Sequence, residues 1–198
     1  MSPRTAATDA ALRRALFDYA RRWPEETVVG AFLALLDDPE DPFRRERRQG
    51  HFTASAWLVS GDGRRLLMTH HRKLDRWLQL GGHADGDPDL PRVALREAAE
   101  ESGLRGLALE DEAIFDLDRH WIPARGEVPA HWHYDVRYVV RAHGGEDYVV
   151  GDESHDLAWR GIAALAEDAD ADPSVRRMAR KWAARVSPRA PCTLRSSC

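Results

Sequence analysis

Cysteine is almost missing from this chain of 198 residues: there are two, Cys192 and Cys198, both in a Ser/Pro/Arg-bearing stretch at the C-terminal end. That placement excludes a disulfide framework and a nucleophilic thiol within the body of the chain. No apolar run approaches membrane-spanning length. The opening residues, MSPRTAATDAALRRAL, lack the apolar core and small-residue cleavage site of a signal peptide, so the expectation is a cytoplasmic protein. A positive surplus is absent too. The net charge is −4 with both signs interspersed, which argues against a nucleic-acid partner. No internal repeat is visible, and the length fits one domain with extensions.

What the chain does have is an acidic helix. Residues 91–102, PRVALREAAEES, place Glu97, Glu100 and Glu101 at i, i+3 and i+4, within one narrow sector of a helix surface. Leu95, Ala98, Ala99 and Ser102 fall on the opposite side, a small-residue stripe suited to packing on a sheet. Pro91 suits a first turn, and Gly103 followed by Leu104 reads as a helix stop with an apolar contact beyond it. Three crowded carboxylates repel one another unless a cation sits among them, and a hard divalent ion prefers such oxygens. A solvated acidic face is the competing reading of the same cluster. Just upstream, strand-like WLQL at 77–80 runs into Gly81-Gly82, read here as a turn.

Gly82, Arg96, Glu97, Ala98, Glu100, Glu101, Gly103 and Leu104 stand in the register G-x5-E-x7-R-E-U-x-E-E-x-G-U, where U is aliphatic and Ala98 is a small member of that class. Residues 82–104 therefore resemble the signature of the Nudix hydrolase family. One position departs: Pro88, flanked by Asp87 and Asp89, stands where the signature has its first Glu. In the family that Glu supports the metal site rather than anchoring it. The resemblance implies a Nudix fold for about residues 51–167, an α/β (α+β) domain with a mixed sheet sandwiched between helices. It implies hydrolysis of a nucleoside diphosphate linked to some other group, with water attacking phosphorus. Mg²⁺ or Mn²⁺ would clamp the phosphate oxygens, act as a Lewis acid and lower the pKa of bound water. By position, Glu97, Glu100 and Glu101 are the implied metal ligands and catalytic residues. Arg96 is the implied holder of a signature glutamate; on a bare helix it would pair with Glu100 at i+4. Gly82 would let the backbone approach metal or phosphate. The general base in many members is an acidic residue in a late loop before a short Trp-bearing strand. GDESHDLAW at 151–159 offers Glu153 there, with Asp156 close behind, Trp159 matching the aromatic, and His155 as runner-up.

The rest of the chain frames this stretch. Residues 1–50 read as a helical extension: Leu12, Leu16, Phe17 and Ala20 share one face, and Val28, Val29, Phe32, Leu33 and Leu36 another. The basic PFRRERRQG at 42–50 reads as a solvated connector. Strands are expected at 51–59, 64–70, 113–122, 131–142 and 148–150, with Gly61-Asp62-Gly63 as a tight turn. Helices are expected at 161–167 and 174–186, with residues 168–187 packed on the domain and 188–198 a flexible tail. The 131–142 strand alternates cleanly: Trp132, Tyr134, Val136, Tyr138 and Val140 on a core face; His131, His133, Asp135, Arg137 and Arg141 on a face that could line a cleft. Arg137 suits a phosphate, which a guanidinium holds in a bidentate fork. His133 and His83 are candidate substrate contacts. With His131 and His120 they also raise a second, nitrogen-rich site for a softer metal such as Zn²⁺. His70, His71, Arg72, Lys73 and Arg76 are a basic group near the signature, with Arg72 and Lys73 as phosphate candidates; Trp77 and Trp121 are candidates for stacking on a base.

The leading reading is thus a metal-dependent hydrolase with a small nucleotide-type partner, no stable nucleic-acid complex, no membrane association, and a homodimer as an open option. An isopentenyl-diphosphate isomerase-like enzyme needs a cysteine inside its domain, which is missing here. A non-catalytic nucleotide sensor would make Pro88 the mark of a degenerate signature. An interaction module built on the N-terminal helices is compatible with either, and predicts that deleting residues 1–45 changes assembly while sparing hydrolysis.

Overall fold

A computed structural model describes residues 4–72, 74–151 and 154–186. Two helices come first, α1 (Ala6–Arg22) and α2 (Val29–Asp37). Eight strands and three further helices follow: β1 (Gly50–Val59), β2 (Arg65–His71), β3 (Arg76–Leu78), β4 (Leu80–His83), α3 (Leu90–Ser102), β5 (Leu107–Leu109), β6 (Asp116–Ile122), β7 (His131–Ala142), β8 (Ser154–Gly161), α4 (Ile162–Glu167) and α5 (Pro173–Val186). Thr5 caps α1 by accepting from the Thr8 amide, one of the orphan donors of a helix start.

The long strands β1 and β7 run parallel, with Gly50 opposite Trp132 and Val59 opposite Arg141. The other side of β1 is shared. Its first half pairs with β4, Thr53 opposite His83 to Ala56 opposite Leu80, and its end pairs with β2. β7 is shared in the same way between β6 and β5. Such divided edges curl the mixed sheet, and β3 and β8 extend it from β2.

β1 is buried along its whole length because helices cover both of its faces. Its even residues Phe52 and Ala54 meet Leu16, Phe32, Leu36, Val93, Ala94, Val136 and Tyr138. Farther along, Ala56 and Leu58 pack with Ala98, Leu104, Val140 and Ala142. Its odd residues Trp57 and Val59 lie under α4 and α5, against Ile162, Val175, Met178 and Trp182. The sheet sandwiched between helices is therefore present as the sequence implies. No described helix is long and apolar enough to cross a membrane.

Several local expectations change. Gly81 and Gly82 form no turn; they sit inside β4, extended against β1. Residues 148–150 make no strand, and their tie to the body includes the Val149 amide donating to Ser102 O at 2.8 Å. The basic 42–50 segment is only partly solvated: Arg47 is buried and donates to Gly50 O and Asp38. Helices α1 and α2 share one core with β1 and β7. Expectations for Cys192, Cys198 and the 188–198 tail lie outside the described residues.

Candidate active site

The acidic helix α3 starts at Asp89, whose side chain accepts from the Arg92 amide, and ends at Gly103, left-handed at φ 66°. The glycine there closes the last turn without a Cβ penalty. Its buried stripe is Leu90, Val93, Ala94, Ala98 and Ser102. Ala99 is exposed and Leu95 half-buried, so the contact face is rotated from the expected one. The rotation has a chemical consequence. At 100° per residue, Glu97 and Glu101 fall on the same side as Ala94 and Ala98, turned toward the sheet, and only Glu100 stays exposed.

Strand β4 receives them. Gly81 N–H donates to Glu101 Oε1 at 3.3 Å. A Cβ built on Gly82 would lie 2.6 Å from Glu97 Cδ and closer still to its Oε2. Only a glycine lets the carboxylate come so near the strand. Arg96 donates to Glu97 Oε1 at 2.7 Å and to His83 O at 3.1 Å, so it clasps Glu97 and ties α3 to β4. The expected i+4 pairing of Arg96 with Glu100 gives way to this one, because the guanidinium also meets the β4 carbonyl there. Burial pushes the Glu97 carboxyl above its ordinary value, against the opposing pull of Arg96. Asp85 adds a carboxylate nearby, at φ 52° and paired with Arg45. Arg45 holds Asp85 below the usual carboxylate range.

At the departing position, Pro88 is buried, and its neighbour Asp87 accepts both oxygens' worth of hydrogen bonding from Arg92, each at 2.7 Å. That pair braces the start of α3. The donor set of Glu97, Glu100 and Glu101 fits a hard divalent cation, and the Gly82 approach leaves Glu97 facing an open backbone. Their carboxylate oxygens do not all lie within 4.8 Å of one another. Among the described residues, the group of three metal-competent side chains within 4.8 Å of one another is His51, His131 and His133.

Other expected residues separate into different places. Arg72 is exposed and donates to Ser154 O at 3.1 Å, on the β2–β8 side. Lys73 and Glu153 lie outside the described residues. His155 and Asp156 are exposed on β8, and His155 contacts the ring of His70. Trp77 stacks on His70 at 5.2 Å, with Arg160 over its ring, and the half-exposed Trp121 meets Trp132 edge-on.

Arg137 is a correction. It is 2% exposed and pairs with Asp135 at 2.7 Å, Asp116 at 3.1 Å and Asp118 at 3.3 Å. Arg177 and Lys181 of α5 close on Asp116 from the other side, and Lys181 also pairs with Glu26 between α1 and α2. The guanidinium is engaged by carboxylates inside the protein, beneath α5, and is not presented to a phosphate at the surface. Period-two alternation gave its face correctly; burial by α5 could not be read from it.

His83 and His133 do come together. His83 follows Gly82 but points to the opposite face of β4, with ring centroids 5.1 Å from His51 and 5.0 Å from His133. Desolvation, then neighbouring charge, takes the His83 pKa down to about 4 and that of His133 to about 2. Both are neutral imidazoles at physiological pH. Sequence reading missed His51, Asp85 and Arg45: the first needs the β1–β7 register, the other two a contact between distant loops.

A profile of the NUDIX domain matches residues 49–182, from the start of β1 into α5. Curated proteins give no match to the sequence. Among solved structures, the chain is similar to an Ap4A hydrolase binary complex from C. elegans, with a TM-score of 0.53 and 17% identity over 68% of this chain and 96% of that one. A MutT protein from Methanosarcina mazei Go1 gives a TM-score of 0.54 and 15% identity over 72% and 99% of the two chains. The E. coli dihydroneopterin triphosphate pyrophosphohydrolase gives 0.51 and 16% over 68% and 95%. These likenesses concern the fold. The profile match spans most of the chain and includes the glycine strand and the acidic helix in the geometry just described, and the chain belongs to the Nudix hydrolase family, enzymes that act on diphosphate bonds.

Proposed function

We propose that this Nudix hydrolase uses Mg²⁺ or Mn²⁺ to cleave a diphosphate linkage in a nucleotide or nucleotide conjugate, by water attack at phosphorus. The observation that carries the reading is the inward turn of Glu97 and Glu101 onto Gly82 and Gly81, which a merely solvated acidic face would not adopt. Glu97, Glu100 and Glu101 are the residues that would hold the ion. When bound, it supplies charge neutralisation for the phosphate oxygens and an acidified water.

The chain's own residues supply position. Arg96, fixed to Glu97 and the His83 carbonyl, keeps the glutamate aimed while neutralising part of its charge. Gly82 leaves the backbone free of a side chain beside Glu97, which is where a phosphate oxygen needs room. Arg72, just after β2, and its sequence neighbour Lys73 are the proposed cations for the outer phosphates. Glu153 is the proposed general base, placed by sequence in the segment leading into β8. The reading keeps a small-molecule partner and a cytoplasmic setting, and leaves a homodimer open.

The test is phosphate or pyrophosphate release across nucleoside triphosphates, dinucleoside polyphosphates, ADP-ribose and other sugar nucleotides, with Mg²⁺, with Mn²⁺ and with EDTA. Metal-dependent turnover of one compound class is expected. Tight nucleotide binding without turnover anywhere in the panel would replace the enzyme with a sensor, and Pro88 would then mark the lost activity.

A further inference from the structure

Five of the nine histidines in the chain converge where no carboxylate of α3 points. Strand register assembles them. His51 of β1 and His120 of β6 both stand opposite His133 of β7, and His83 of β4 stands opposite Thr53, one step along the same face of β1 from His51. Directly paired residues share a sheet face, and His131 shares it with His133 by alternation. Ring centroids lie 4.9 Å apart for His51 and His131, and 5.0 Å apart for His51 and His133 and for His131 and His133.

The orientation of the rings is more telling than their number. His51 Nδ1 lies 3.3 Å from Arg47 O, and His131 Nδ1 lies 2.8 Å from Pro129 O. A carbonyl can only accept, so each Nδ1 carries a proton, and in the neutral form of such a ring Nε2 is the nitrogen with the lone pair. In His51, which is 2% exposed, Nε2 is buried and has no hydrogen-bond partner among the described residues. His131 Nε2 faces His133 Nε2 at 3.2 Å. Two nitrogens of a tetrahedral zinc centre stand about 3.3 Å apart, given Zn–N bonds of about 2.0 Å. One ring nitrogen from each of His51, His131 and His133 already lies within 4.8 Å of the other two. Imidazoles pinned through Nδ1–H to a carbonyl, with Nε2 presented inward, are oriented as metal-binding histidines are.

We propose that His51, His131 and His133 form a binding site for a divalent transition-metal ion of the zinc class, separate from the carboxylate site on α3. Neutral nitrogen donors favour such ions over Mg²⁺, which takes oxygen. His83, half-buried beside His51 and His133, is placed to complete the set, and His120 is held nearby through Nδ1, 3.2 Å from Asp118. The two sites back onto opposite faces of β4, Gly82 against Glu97 and His83 against the histidines.

The experiment uses the full chain without a polyhistidine tag, stripped with chelator and titrated with Zn²⁺, and separately Co²⁺, in a large excess of Mg²⁺. Expected are one Zn²⁺ per chain and the intense visible absorption of tetrahedral Co²⁺. Both should persist in Glu101→Gln and in Cys192→Ser/Cys198→Ser, and affinity should fall at least about 10-fold in His131→Ala and His133→Ala. On the unmutated chain, ¹⁵N spectra of the imidazoles give a readout independent of variant folding: the His51, His131 and His133 resonances should shift together on adding Zn²⁺. No binding under Mg²⁺, affinity unaltered in the histidine variants, binding lost only in the cysteine or glutamate variants, or rings that do not respond would each overturn the site. Zinc binding with no hydrolysis would support it while counting against the carboxylate reading, so the two fail separately.

Discussion

An alanine at position 82 would bring its methyl carbon to 2.6 Å from Glu97 Cδ, and nearer still to Oε2. What must move is the far end of a flexible side chain, so the fold has an easy way out. We expect a stability change below about 1 kcal/mol, the low end of the overpacking range. Loss of glycine's freedom in the unfolded chain offsets part of it, by about 0.4–1 kcal/mol. The displaced carboxylate is a different matter. A shift of about 1 Å in a positioned group costs on the order of 10²-fold in rate. Gly81→Ala is the control with the opposite signature. Its methyl would meet Ser55 Cα at 2.7 Å, in the backbone of β1, which cannot swing aside. Destabilisation of roughly 1–3 kcal/mol is expected there. Urea unfolding beside metal-dependent turnover separates the two variants. Full activity in Gly82→Ala, or a loss of activity matched by an equal loss of stability, would refute the placement of Glu97.

Removing the Arg137 guanidinium as Arg137→Met leaves Asp135 buried with only hydroxyl and amide partners, and should cost roughly 3–5 kcal/mol in urea unfolding. Acid should act through the same network. Burial alone would raise the Asp118 carboxyl, but His120, Arg137 and Arg177 outweigh it and hold it below its ordinary value. Asp116 is held down likewise by Arg177, Arg137 and Lys181. A depressed carboxyl contributes stability that is complete above its unfolded pKa, about 3.9, and is lost as pH falls through the folded value. Unfolding free energy should therefore drop below about pH 4, and more shallowly in Asp118→Asn; parallel curves would contradict this. Deleting residues 1–45 removes Leu12, Leu16, Tyr19, Phe32, Leu35 and Leu36 from a shared core. At about 1.5–3 kcal/mol for each buried side chain, that loss rivals a whole domain's net stability of about 5–15 kcal/mol, so the truncated chain should fail to fold, as circular dichroism would reveal. A folded, active truncation would restore the picture of an appended module.

Fixed spacing made the acidic helix, its glycine stop and Gly82 legible, because a helical repeat and a tight approach leave marks at short range. Alternation gave β7 its residue bounds and both its faces. What lay beyond reach was contact between distant segments. Whether Arg137 meets a substrate or Asp116 depends on α5 returning across the sheet. Whether His131 and His133 have a third partner depends on the parallel pairing of β1 with β7. The glycine pair was misread as a turn for a related reason: pairing to β1 keeps Gly81 and Gly82 extended, and their small size serves Ser55 and Glu97 rather than chain reversal.

The most direct measurement compares wild type with Glu101→Gln, at matched stability, for turnover of the best panel substrate across a Mg²⁺ titration. Gln keeps the side chain's shape and can still accept from the Gly81 amide, but it surrenders the charge. The account predicts a fall of on the order of 10²-fold or more in kcat/KM, the scale reported for removing one group that stabilises developing charge, together with a weaker Mg²⁺ requirement curve. Wild-type turnover and an unchanged Mg²⁺ dependence in Glu101→Gln would contradict it, and the inward-turned carboxylates of α3 would then be structural.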